Sequence, residues 1–282
     1  MATDAFELPS GKHAGTENFP VASRLVRADL RPHLGDFYDF ARAIDDVADA
    51  VDVDAAEKRR RLAAFDAVLA GEAAEGPAKA VALKRSLDAT GVDPVHAREL
   101  IEAFVLDTQK TRYADWHDLM GYCRLSAAPV GRHILDLHGE DPALYDANDA
   151  LCHGLQVVNH LQDCADDYRR LDRVYLPEPW LAAEGLTVDV LAGASSPGGL
   201  RRVIDRLLAG TDALLERSRP FARHVKDGRL ALEIAAIQAL AEGLAAKLRR
   251  ADPLKRHVKF SKARMAAVGL GGAARAWLAR RA

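Results

Sequence analysis

The chain has 282 residues, with 39 Lys+Arg against 41 Asp+Glu, a formal net charge of −2, 49% hydrophobic and 28% charged side chains. This balance excludes intrinsic disorder, which needs low hydrophobicity or a large charge excess, and a generic nucleic-acid binder, whose affinity rests on a basic surface. No apolar run reaches the ~18 residues that suggest a membrane-spanning helix. Aromatic residues make up only 6% while alanine is abundant, which points to helices packed through small side chains.

Residues 1–12 carry acids and no apolar stretch, so they do not read as a secretory signal. The three cysteines, Cys123, Cys152 and Cys164, lie outside any zinc-binding spacing and suit reduced thiols in the cytoplasm. Every predicted element is helical. Pro32 opens a helix that runs to about residue 51, with Leu34, Phe37, Ala41, Ile44 and Ala48 at 3–4-residue spacing. Asp54 caps a second helix over residues 55–70. Further helices are predicted over residues 77–90, 94–112, 115–138, 142–171, 198–226, 229–251 and 258–280, separated by Gly- and Pro-containing breaks. No linker divides the chain, so the expectation is an all-α protein with a flexible stretch over residues 1–14 and one helical domain over 15–282.

Two of these helices carry acids in the same register. Tyr38, Arg42, Asp45 and Asp49 stand at i, i+4, i+7 and i+11, within roughly 60° of helical arc. Gln156, His160, Asp163 and Asp167 repeat that spacing, and Asn159 widens the face to roughly 100°. Carboxylates one turn apart cost a helix about 0.2–0.5 kcal/mol when unpaired. A divalent cation reverses the sign, because it draws carboxylate oxygens together. Two readings therefore stand. Each motif is a solvated acidic face neutralised by Arg42 or Arg170, or the two motifs form paired Mg²⁺ sites that satisfy a polar stripe on mostly apolar helices.

In sequence order, Ile44-Asp45-Asp46-Val47-Ala48-Asp49, Tyr122-Cys123-Arg124-Leu125-Ser126-Ala127-Ala128-Pro129-Val130-Gly131, and Asn159-His160-Leu161-Gln162-Asp163-Cys164-Ala165-Asp166-Asp167 with the tail Arg173-Val174-Tyr175-Leu176-Pro177 resemble the motifs of the squalene/phytoene synthase family. The resemblance runs from about residue 15 to about residue 262. Glu17-Asn18-Phe19-Pro20, the Arg-Leu-Ser-Ala-Ala-Pro-Val-Gly segment and Leu161-Gln162-Asp163 are most similar to its hydroxysqualene-forming bacterial branch, which serves hopanoid synthesis. The general family usually has Arg where Gln162 stands, and tends to have Ser where Asn18 stands. Both departures favour that branch over phytoene or complete squalene synthesis.

The resemblance implies a helical bundle of the isoprenoid synthase type with a central cavity. It implies a lyase reaction in which presqualene diphosphate ionises with Mg²⁺ as Lewis acid, rearranges and captures water. Asp45, Asp49, Asp163 and Asp167 are then the metal ligands, with Asp46 and Asp166 as second choices. Arg24, Arg42 and Arg173 are candidate diphosphate clamps, because the guanidinium fork matches phosphate oxygens. Each has a plainer alternative, an intrahelical ion pair for Arg42 and an ordinary surface charge for the other two. Asn18 is a diphosphate contact or a turn residue, and Phe19 a pocket wall or a core side chain. Tyr38 and Tyr122 face the cation or fill the core, and Gln156 and Asn159 orient diphosphate or water or are satisfied buried amides. His160 and Tyr175 are read as structural.

From residue 247 onward Asp252 is the only acid among eleven Lys and Arg, with apolar Val258, Met265, Val268, Leu270, Trp277 and Leu278 interleaved. Two readings stand for this tail, a peripheral contact with an anionic membrane face or a terminal helix packed on the domain with a solvated basic side. Gly269, Gly271 and Gly272 weaken the helical expectation. The implied partners are a prenyl diphosphate and neighbouring enzymes of squalene synthesis, with no nucleic acid. The alternatives are a head-to-head synthase joining two prenyl diphosphates, and a non-catalytic helical protein that binds isoprenoids or a membrane.

Overall fold

The computed structural model describes residues 26–280. It contains twelve α-helices among those residues: α1 Arg31–Asp49, α2 Ala55–Leu69, α3 Ala78–Thr90, α4 Val95–Asp107, α5 Trp116–Ser126, α6 Ala128–Leu137, α7 Tyr145–Leu171, α8 Glu178–Ala183, α9 Gly198–Ser218, α10 Phe221–His224, α11 Gly228–Leu248 and α12 Lys262–Ala279. There is no strand among the described residues. The all-α expectation holds, and the first two helices start as anticipated. Pro32 lies in the first turn of α1, and the Asp54 carboxylate accepts the backbone N–H groups of Ala56 and Glu57.

The expected helix over 115–138 is two helices. The chain breaks at Ala127 (φ −127°, ψ −47°), two residues before Pro129, which has no N–H to continue the ladder and whose ring would clash with the preceding turn. Pro220 likewise stops α9 at Ser218 and starts the short α10. The helix expected to reach residue 112 ends at Asp107, where the Thr108 hydroxyl turns back to the Val105 carbonyl at 2.8 Å. The final helix begins at Lys262 and not at 258, because the Ser261 side chain caps it by accepting the Arg264 N–H.

The described chain gathers into two compact units that interleave in sequence. One holds the chain up to Gln109 together with Pro129–Pro142, and the other holds Lys110–Ala128 and everything from Ala143 on. In the first unit, α1 buries Leu34, Phe37, Phe40, Ile44 and Val47 against Leu62 and Phe65 of α2, Leu83 of α3 and Leu100 of α4. The Phe40 and Phe65 rings meet edge-on at 6.0 Å. His133 of α6 stacks on Phe37 at 3.8 Å, nearly parallel.

In the second unit, α7 packs on α9 and α11 packs on α12. Both contacts depend on glycine for close approach. A Cβ at Gly154 would come within 2.9 Å of the Leu215 side chain, and one at Gly272 within 2.6 Å of the Ala235 carbonyl oxygen. Of the glycines that weaken α12 on propensity, Gly272 lies against a neighbouring backbone, where a side chain would force the helices apart.

Burial holds the His133 imidazole neutral, lowering its pKa from 6.5 to about 3. Neither ring nitrogen has a hydrogen-bond partner among the described residues. The unfolded chain therefore binds a proton below pH 6.5 that the folded chain refuses. This contribution to stability is complete above 6.5 and is lost as pH falls from 6.5 toward 3, at up to ~1.4 kcal/mol per pH unit. Urea unfolding of the wild type and of His133→Gln from pH 7 down to about pH 5 should show a shallower decline for the variant. Parallel declines would contradict it.

Candidate active site

In the first unit, α1 presents Tyr38, Arg42, Asp45 and Asp49 on one half-buried face, set between the fully buried Phe40, Ile44 and Ala48. The guanidinium of Arg42 bridges the motif, with one nitrogen 2.6 Å from Asp45 Oδ2 and the other 3.2 Å from Asp46 Oδ1. All three side chains are largely shielded, with 16–24% exposure, so these charges are screened less than on an open helix face. The plainer reading of Arg42, an ion pair within its own helix, is what the geometry displays. Lys58 of α2 donates to the Ala48 carbonyl at 2.8 Å and so satisfies one of the last carbonyls of α1, beside Asp49.

In the second unit, the 27-residue α7 holds Gln156, Asn159, Asp163 and Asp167 half-buried along one side, while Leu161, Gln162 and Cys164 turn inward. Asp166 points to solvent, 68% exposed, and meets Arg169 only at 4.0 Å, a surface pair of little energetic weight. The acid pairing expected of Arg170 falls to Arg169 instead. Gln156 reaches Ser126 on α5 at 3.5 Å. Asp163 accepts a hydrogen bond from His257 Nε2 at 2.8 Å, and the neighbouring Gln162 amide donates to the Val258 carbonyl, so two successive residues of α7 fasten the segment before α12. Nothing in the sequence marks His257 as a partner of α7, since 94 residues separate it from Asp163.

The end of α7 positions the next group. Asp172 adopts a left-handed conformation (φ 50°), stabilised by Arg112, whose guanidinium donates to both the Asp172 carboxylate and its backbone carbonyl. The chain then reverses, and Val174 N–H bonds to the Thr111 carbonyl at 2.9 Å. This turn buries Arg173, which rules out an ordinary surface charge, and carries Tyr175 into an aromatic cluster. Tyr175 stacks on His160 with ring centroids 3.5 Å apart. Its ring lies 5.5 Å from both Tyr113 and Tyr122, and its hydroxyl is 3.5 Å from that of Tyr122. Burial, aided by the charge of Arg173, lowers the His160 pKa to about 3, so this ring is neutral at physiological pH. Tyr113 and Tyr175 were not candidates for chemistry on sequence grounds, yet both are packed around Tyr122.

Tyr38, Arg42, Asp45 and Asp49 thus share one face of α1, and Gln156, Asn159, Asp163 and Asp167 share one face of α7. Asn18, Phe19 and Arg24 lie outside the described residues. Burial raises the Cys164 thiol to about 12 and raises that of Cys123 further still, which leaves both cysteines as inert packing. Among the described residues, no three His, Cys, Asp or Glu side chains converge on one point. That is compatible with Mg²⁺, which takes one or two carboxylates and completes its shell with water and substrate phosphate. The half-buried, all-oxygen carboxylates suit it, and Asp163 is already oriented by a hydrogen bond, as ligating carboxylates commonly are.

An all-α scaffold with two acidic helix faces is the architecture of the isoprenoid synthases, and the solved structures agree. The squalene synthase HpnC from Alicyclobacillus acidocaldarius matches with a TM-score of 0.71 at 33% identity, over 82% of this chain and 87% of its own. A dehydrosqualene synthase matches in fold with a TM-score of 0.74 at 19% identity, over 92% of each chain. Residues 12–264 match the squalene/phytoene synthase family, and the chain belongs to it. Hydroxysqualene synthases from Rhodopseudomonas palustris and Zymomonas mobilis are each 45% identical to it, over 85% of this chain and 82% and 81% of theirs.

Val258 is almost fully buried, and Gln162 donates to its carbonyl. Gln162→Ala should therefore leave that acceptor short of its donor and cost about 1–3 kcal/mol in urea unfolding. A loss within the error of the wild-type value would show that the contact contributes nothing.

Proposed function

We propose that the protein is a hydroxysqualene synthase, converting presqualene diphosphate and water to hydroxysqualene and diphosphate. The observation that carries this reading is the 45% identity, spanning more than four-fifths of both chains, with two enzymes of that name. Gln162 supports it from within the chain. In place of the Arg usual in the general family it puts a neutral amide, which is buried and used to hold the Val258 carbonyl.

On this reading Asp45, Asp49, Asp163 and Asp167 would hold Mg²⁺, with Asp46 and Asp166 as second choices, and the ion would compete with Arg42 for Asp45. The ion supplies Lewis-acid stabilisation of the negative charge on the departing diphosphate. Arg173 and Arg42 add fixed positive charge for the same group, and Arg24 and Asn18 are assigned to it as well. The C–O bond to diphosphate breaks with its electron pair leaving on oxygen, and the cyclopropylcarbinyl cation rearranges. A water oxygen then bonds to the cation and gives up one proton. Gln156 and Asn159 orient that water, and Tyr38 and Tyr122 shelter the cation with ring and hydroxyl, with Phe19 as a pocket wall. The Tyr113–Tyr175–His160 packing keeps the Tyr122 ring fixed, and the neutral His160 avoids placing a second positive charge beside it.

The substrate's chemistry requires a partner enzyme that makes presqualene diphosphate and another that removes the product hydroxyl. The residues from 15 on act as one catalytic domain in the cytoplasm, against the inner face of the membrane that receives a thirty-carbon product. No described helix is long and apolar enough to cross a membrane.

Purified protein with Mg²⁺ should release hydroxysqualene from presqualene diphosphate and leave farnesyl diphosphate unchanged. EDTA should stop turnover, and Asp163→Ala or Asp45→Ala should lower kcat on the order of a hundredfold or more. Consumption of farnesyl diphosphate alone would sink the assignment in favour of a head-to-head synthase, and full activity in the Asp variants would remove these residues from the metal site.

A further inference from the structure

The face of α12 that points away from the protein is apolar. Opposite the glycines that pack on α11, the residues Ala263, Ala266, Ala267, Leu270, Ala274, Trp277 and Leu278 fall within roughly 120° of arc, and the stripe contains no polar side chain. Leu270 is 71% exposed, Leu278 60% and Trp277 44%, so three of the five exposed large hydrophobic residues among the described residues sit on this one helix. Cations flank the stripe on both sides. Lys262 lies on one edge and Arg264 and Arg275 on the other, and α12 has no acid. The segment leading into it adds exposed Lys255, Arg256 and Lys259. Arg280 is engaged elsewhere, donating to the Ala222 and Val225 carbonyls at 3.0 and 2.8 Å, and so pins the end of the helix to the protein. The family match ends at residue 264, so nearly all of α12 lies beyond it.

We infer that α12 is a docking face for an anionic lipid surface, lying in the plane of the bilayer with Leu270, Trp277 and Leu278 sunk among the acyl chains and Lys262, Arg264 and Arg275 on the phosphates. An apolar stripe edged by cations is the pattern of an interfacial helix, and an indole favours the headgroup boundary. A second copy of the chain fits this face poorly. Symmetric pairing of α12 on α12 would set their cationic edges against each other, and neither helix carries an acid to meet them. The inference deepens the membrane contact named in the proposed function, but it rests on the helix surface and needs no particular reaction.

The full chain should co-sediment with vesicles containing phosphatidylglycerol and much less with phosphatidylcholine alone, and added salt should weaken the binding. Trp277 emission should shift to the blue on binding, a shift that Trp277→Phe removes although Trp116 and Trp180 remain. Leu270→Ser with Leu278→Ser should weaken vesicle affinity about tenfold or more while the circular dichroism and thermal midpoint stay as in wild type. Turnover of presqualene diphosphate in detergent should be unchanged in that variant. The assay uses empty vesicles, so its outcome is separate from that of the substrate assignment. Failure of the full chain to bind the anionic vesicles, or equal binding by the double variant, would overturn the inference. So would a change of oligomeric mass in the variant with vesicle binding intact, which would make the face a contact between copies.

Discussion

Half-buried carboxylates, set one turn apart on helices whose other sides are core, are the constraint around which the candidate site is organised. Repulsion between them is weak on an open helix and grows as water is withdrawn. Each helix answers it differently. In α1 the answer is local, with Arg42 spanning Asp45 and Asp46 from the same face. In α7 the answer is distant, with His257 arriving from the segment before α12 to bond Asp163. A cation beside α1 would add to the charge balance that Arg42 begins, and one beside α7 would meet a carboxylate already oriented by a hydrogen bond.

The second consequence is rigidity where the polar groups are held. The inward side of α7 is closed by Val157, Val158, Leu161 and Cys164, and Gly154 lets α9 come within side-chain contact. Its C-terminal end is stopped by a non-glycine left-handed residue, which is tolerated because Arg112 grips both the side chain and the backbone of Asp172. That turn places buried Arg173 and Tyr175 next to His160. In this surrounding a protonated imidazole would cost twice, through desolvation and through the nearby guanidinium, so the ring stays neutral and serves as a stacking partner.

Much of the fold was legible in the sequence because its signals are local. The 3–4-residue apolar spacing of Leu34, Phe37, Ile44 and Ala48 identifies α1, Asp54 identifies the start of α2, and the shared i, i+4, i+7, i+11 spacing puts each acidic motif on one helix face. The misses are equally specific. Pro129 and Pro220 end helices that apolar periodicity alone would continue, and Thr108 ends α4 by a side-chain bond that competes with the ladder. The glycines of α12 count against a helix on propensity, and the carbonyl of Ala235 explains the one at Gly272, where a Cβ would collide.

By itself, the sequence determined the all-helical class, the two acidic faces and the resemblance to a family to which the chain does belong, because periodicity and motif spacing act over a few turns of one helix. Only the tertiary structure decided that Arg173 is buried, that Tyr113, Tyr122, Tyr175 and His160 form one cluster, and that His257 and Gln162 tie the segment before α12 to α7. Those contacts join residues tens of positions apart, and which of them form depends on how the helices pack and on where each chain reversal sends the next segment. The outward stripe of α12 lies between the two cases. Its composition is plain in the sequence, but which apolar side is buried and which is exposed was settled by the close fit of Gly272 against α11.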